Sequence, residues 1–166
     1  MKYHDISKHD MKNGEGIRVV LWVSGCSHHC KGCHNPLTWN PKHGLEFDEK
    51  ARGEIFYELA TDYVSGLTLS GGDPLHEANR EAVTKLAKEV KEIFPDKTIW
   101  LYTGYKFEEI PLYRLKQLSR YVDVIVDGRF EEDKKDLTLR FRGSSNQRII
   151  DLQKTLEQNK IVLWEE

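Results

Sequence analysis

The chain has 166 residues, 39% of them hydrophobic and 31% charged, with a formal net charge of −2. This size and balance predict one soluble domain over residues 1–166 with a core of its own, and argue against disorder. The near-neutral charge gives no electrostatic case for a nucleic acid or an anionic membrane as partner.

The N-terminal stretch MKYHDISKHDMKNGEG lacks the apolar run of a secretory signal. The longest apolar run, residues 19–23, is far too short to span a bilayer. A cytoplasmic location is expected, where structural disulfides are rare. Residues 17–24 are apolar and β-branched and predict a buried strand, followed by a loop that holds the cysteines. A helix is expected over 47–63 with Asp48 as its N-cap, then a strand over 66–70 that ends in Gly71-Gly72. After Asp73-Pro74 a second helix is expected over 77–94, stopped by Pro95. A strand over 98–102, a helix over 111–121 and a strand over 122–126 follow, with short strands at 148–150 and 160–164. Alternating strands and helices predict an α/β fold with a mostly parallel sheet built from right-handed βαβ units. In such sheets ligands sit beyond the carboxyl ends of the strands. The loops at Gly25-Cys26, Ser70 to Asp73, Thr103-Gly104 and Asp127-Gly128 are therefore expected to share one rim.

All three cysteines fall within GCSHHCKGC, as Cys26, Cys30 and Cys33. Three thiols cannot all pair within a chain, and they leave a tetrahedral metal site one ligand short. Two readings follow from the residues. Either His28, His29 or His34 completes a zinc site, or the three thiolates hold three irons of a [4Fe-4S] cluster and leave the fourth open to substrate. A lone histidine is more often hydrogen-bonded than ligating, so these three, with His43 and His76, are taken as non-ligands.

The spacing Cys-x3-Cys-x2-Cys after a first strand resembles the radical S-adenosylmethionine (radical SAM) enzymes. Asn13-Gly14-Glu15-Gly16-Ile17-Arg18, His34-Asn35-Pro36 and Thr38-Trp39 are similar to the branch that activates glycyl-radical enzymes. Leu69 to Leu75, Trp100 to Tyr105, Val126-Asp127-Gly128 and Arg140 to Arg148 narrow the resemblance to activators of the anaerobic ribonucleoside-triphosphate reductase. The resemblance implies a partial, open (β/α) barrel, here of six strands or fewer. It implies that Cys26, Cys30 and Cys33 bind a [4Fe-4S] cluster whose open iron takes S-adenosyl-L-methionine. It implies reductive cleavage of that ligand to a 5′-deoxyadenosyl radical, which abstracts hydrogen from a glycine of the reductase large subunit.

The cofactor then carries the chemistry, and no side-chain acid, base or nucleophile is expected. By the same resemblance Gly71, Gly72 and Asp73 face the methionine end of the ligand, Thr103 and Asp127 bind its ribose or methionine, and a low-potential flavodoxin-like protein donates the electron. Two departures stand out. Asp73 occupies a place where many relatives carry glutamate, and Gly32 stands where many carry an aromatic residue against the adenine. An activator of a formate-lyase-type enzyme and a zinc-binding module without turnover are the alternative readings.

Overall fold

The computed structural model describes residues 1–165. One seven-stranded sheet organises the chain, in the order β3-β1-β2-β4-β5-β6-β7. Its centre is parallel and comprises β2 (Ile17–Val23), β4 (Val64–Gly71), β5 (Thr98–Tyr102) and β6 (Val124–Asp127). Its flanks are antiparallel: β1 (Lys2–Asp10) runs against β2, the two-residue β3 (Leu45–Glu46) against β1, and β7 (Arg148–Asp151) against β6. The sheet is mixed and does not close, with β3 and β7 at its two edges.

The four central strands lie where the apolar pattern places them. Two expectations are corrected. The sheet has seven strands rather than six or fewer, and half of its pairings are antiparallel. The cause is β1, whose sequence KYHDISKHD buries only Ile6. A strand that pairs at the flank can be polar along both faces, so it carries no period-2 signal. The segment expected as a strand at 160–164 is tied to β7 by a bridge from Leu163 to Ile150 and by hydrogen bonds from Trp164 N to Ile149 O and from Asp151 N to Val162 O, without a regular strand. Ahead of it stands a helix that the pattern did not predict, α4 (Leu152–Gln158), capped by the Asp151 carboxylate.

The helices α1 (Glu49–Leu59), α2 (Arg80–Ile93) and α3 (Leu112–Leu118) are each shorter than expected. Asp48 does cap α1, accepting from Ala51 N at 3.0 Å. The segment ahead of α2 forms turns instead, because Asn79 is buried and its amide donates to Ser24 O and Asp73 O.

Alternation along the strands divides the sheet into two faces. Val19, Leu21, Leu67, Leu69, Ile99, Leu101 and Ile125 face the helices and meet Ile55, Leu59, Val83, Leu86, Val90, Leu115 and Leu118 in the main core. The other face carries Trp100, Val124 and Val126, covered by Phe141 and Trp164 in a second apolar cluster. Here Arg18 is fully buried, with no carboxylate partner among the described residues. Its guanidinium donates to Thr68 Oγ1, Thr98 Oγ1 and the carbonyls of Glu15, Leu67 and Thr98, and burial lowers its pKa to about 10. No helix among the described residues is long and apolar enough to cross a membrane.

Candidate functional site

The chain leaves β2 and turns at Gly25, whose φ of +110° suits glycine. The cysteine loop that follows is stitched to its neighbours by backbone hydrogen bonds. Gly25 N donates to Thr38 O (2.6 Å), Cys26 N to Trp39 O (3.0 Å) and Asp73 N to Gly25 O (2.7 Å). The ends of β2 and β4 approach so closely that only glycine fits between them. A Cβ on Gly71, itself at φ +108°, would stand 2.4 Å from Val23 N, and one on Gly72 would stand 2.5 Å from Gly25 O. The glycine pair after β4 is thus first a packing requirement that brings its bare backbone to the cysteine loop.

A cavity of about 740 Å³ opens at this end of the sheet and runs over the second face. That size falls within the roughly 300–1,000 Å³ typical of small-molecule sites. Cys26, Cys30 and Cys33 all line it, with Gly71, Gly72, Thr103, Gly104 and Gly128, so the shared rim is present. The three cysteines are free and half-buried. Burial pushes the Cys26 thiol up to about 11 and raises Cys30 as well, against smaller downward pulls from the Phe130 backbone N–H and from Arg129.

Asp73 and Asp127, expected to touch a ligand, do not line the cavity. Both are 1% exposed. Asp127 accepts from Phe107 N (2.8 Å) and from Arg148 Nε (3.1 Å) and Nη2 (2.6 Å), which holds β6 to β7 and to the loop after β5. Those hydrogen bonds, with one to Glu108, raise the Arg148 pKa and make Arg148 a bracing residue. Asp73 is bound within the wall in the same way, with His28 among its donors.

The histidines are accounted for. His28 is turned to Asp73, His29 stacks on Trp39 with ring centroids 4.4 Å apart, and His34 lies against Phe130 at 5.2 Å. Among the described residues no three His, Cys, Asp or Glu side chains are grouped to hold one metal ion. The donor set still fits a [4Fe-4S] cluster, in which each thiolate binds a different iron and the three need not converge on a point.

Among the other lining residues, Phe130 carried no signal in the sequence, whereas Trp39, Arg140, Phe141 and Arg142 stand in motifs noted there. Phe130, from the loop after β6, fills the space beside Gly32, where a Cβ would come within 3.3 Å of its ring. Trp39 and Arg142 line the cavity with a buried Nε1 and a buried Nε that have no hydrogen-bond partner among the described residues. Five basic residues, Lys12, Arg129, Lys135, Arg140 and Arg142, face one acid, Asp136, around this cavity. The floor is held in place by Phe141, in the left-handed region at φ +63°, whose carbonyl accepts from Tyr102 OH at 2.5 Å. Positive φ in a bulky residue is strained, and such strain gathers at functional sites.

A family model described as a 4Fe-4S single cluster domain matches residues 12–150. Among curated proteins, the anaerobic ribonucleoside-triphosphate reductase-activating protein of Enterobacteria phage T4 is 47% identical over 149 residues, which cover 90% of this chain and 93% of the relative. The protein of the same name from Pasteurella multocida is 45% identical over 150 residues (89% and 95%), and that of Escherichia coli K12 is 41% identical over 149 residues (89% and 96%). The family model spans the cysteine loop, the glycine pair and the loops after β5 and β6, and at the relatives' identity and coverage the chain belongs to the family of anaerobic ribonucleoside-triphosphate reductase-activating proteins.

Proposed function

We propose that this protein is a radical SAM activating enzyme that installs a glycyl radical in an anaerobic ribonucleoside-triphosphate reductase. The observation that carries the reading is three free cysteines on one loop, facing a cavity edged by the bare backbone of Gly71 and Gly72. The relatives' names favour this reductase over a formate-lyase-type target. When bound at Cys26, Cys30 and Cys33, the [4Fe-4S] cluster supplies one electron to the sulfonium of S-adenosyl-L-methionine, yielding methionine and a 5′-deoxyadenosyl radical that takes hydrogen from the reductase's glycine.

The chain's own residues bind, orient and exclude water. The carbonyls at Gly71 and Gly72 accept from the ammonium of the methionine end, and Thr103 borders the same wall. Phe130 offers the ring that Gly32 lacks and serves as the adenine platform. Asp127 acts from behind the wall, where its grip on Arg148 and Phe107 N fixes the loop that carries Gly128 and Phe130. The whole chain works as one radical SAM domain in the cytoplasm, with a flavodoxin-like protein as electron donor.

The test is anaerobic. The protein is reconstituted with iron and sulfide, mixed with S-adenosyl-L-methionine and a strong reductant, and assayed for 5′-deoxyadenosine beside a Cys30→Ala control. The reading expects product from the wild type only, and a glycyl radical by electron paramagnetic resonance once the reductase is added. A protein that takes up zinc and no iron sinks it.

A further inference from the structure

We propose that Asp73 is a positioning residue that clamps the cysteine loop through His28, and not a contact for the ligand's ammonium group. This rests on the radical SAM reading of the site above.

Asp73 follows the glycine pair, where a carboxylate is expected to reach into the cavity. Four donors already hold it. Oδ2 accepts from His28 Nε2 (2.6 Å), Thr103 Oγ1 (3.1 Å) and Gly104 N (3.0 Å), and Oδ1 accepts from Leu75 N (2.8 Å). Oδ2 is filled by three donors, and Oδ1 holds one. The residue is 1% exposed and does not line the cavity, so an ammonium would have to open the wall to reach it.

The donors come from three places: His28 from the cysteine loop, Thr103 and Gly104 from the end of β5, and Leu75 from Asp73's own turn. One buried carboxylate therefore ties the cysteine loop to two strand ends. His28 is shaped for this role. Its side chain is 4% exposed, it lies edge-on to Tyr105 at 4.6 Å, and Gly104 has no Cβ where one would stand 2.4 Å from the imidazole. The aspartate is one methylene shorter than glutamate, which keeps its carboxylate back at the level of this histidine.

A double-mutant cycle decides the matter. Asp73→Asn, His28→Phe and the double variant are compared with wild type, folding being checked by circular dichroism. Affinity for S-adenosyl-L-methionine is read from the change it causes in the paramagnetic resonance signal of the reduced cluster. A clamp predicts that each single variant weakens binding by about tenfold, the scale of one hydrogen bond to a charged group. It also predicts that the double variant is no worse than either single one, and that His28→Gln, which keeps a donor, restores most of the loss. Weakened binding in Asp73→Asn with unchanged binding in His28→Phe overturns the proposal, as do additive losses.

The metal-free protein supplies an independent reading, the rate at which iodoacetamide alkylates Cys26. Both single variants should speed it equally. If the wild type takes up no iron but this equal acceleration is seen, the cluster reading fails and the clamp stands. Alkylation unchanged in both variants rejects the clamp.

Discussion

Cys26 shows how far burial, with the Asp73 carboxylate nearby, sets a residue's behaviour in the metal-free protein. Its thiol is pushed up to about 11, so at neutral pH it is protonated and a poor nucleophile. Alkylation of Cys26 should lag that of a free cysteine, whose pKa is about 8.5, until the pH rises well above 9. Metal uptake removes that proton, so iron loading should be favoured by alkaline pH and slowed by acid. Mass spectrometry of alkylated peptides across a pH series checks the first statement, and iron content per chain the second. The spacing of the three cysteines was legible in the sequence. Their burial was not, because it depends on segments far along the chain, such as the loop carrying Phe130.

Strand ends and the loops between them form the site, and two changes probe them. Gly72→Ala drives a Cβ against the carbonyls of Gly25 and Thr38, at 2.5 and 2.7 Å. The cysteine loop must shift, and the variant should fold with a lower melting temperature and hold far less iron than wild type. The second change probes the brace between the loop after β5 and β7, where Arg148 donates to Glu108 and holds its carboxyl below the ordinary range. A depressed carboxylate pKa stabilises the fold fully above its unfolded value, and this is lost as the pH falls through the folded one. Glu108 is 59% exposed, so the effect is small, about 0–1 kcal/mol. Glu108→Gln should melt slightly below wild type at pH 7, and the gap should close as the pH falls through the folded carboxyl's lowered pKa, by thermal denaturation with a circular dichroism readout.

Across the whole molecule the two faces of the sheet do different work. One is a conventional helix-covered core, and the other carries buried Arg18 and is closed by distant parts of the chain, Phe141 and Trp164. Trp164 packs edge-on against Trp100 at 5.1 Å and Phe141 at 6.1 Å. Trp164→Ala should cost about 2–3 kcal/mol in burial and aromatic contacts and lower the melting temperature by roughly 5–10 °C. Because Phe141 also floors the cavity, S-adenosyl-L-methionine should bind this variant more weakly. Arg18→Met should be costlier, about 3 kcal/mol or more, since it removes the donors to Thr68 Oγ1 and Leu67 O, where both partners are buried. Denaturant titrations give both values.

The sequence by itself determined the parallel centre of the sheet, the shared rim and the three cysteines on it. Each is written locally, as a β-branched run, a glycine at a strand end or a close spacing of thiols. It did not determine the strand at the N-terminus or α4. Flank pairing lets a polar strand form, and a helix of two turns carries too short a pattern to read. Above all, the sequence could not say where a side chain is aimed. Asp73 and Asp127 stand in the motifs expected to bind a ligand, yet both are drawn into the wall by donors from other loops. Phe130 reaches the space beside Gly32 from about a hundred residues away. A carboxylate takes whichever donors the fold brings within reach, and only the tertiary structure decides which those are.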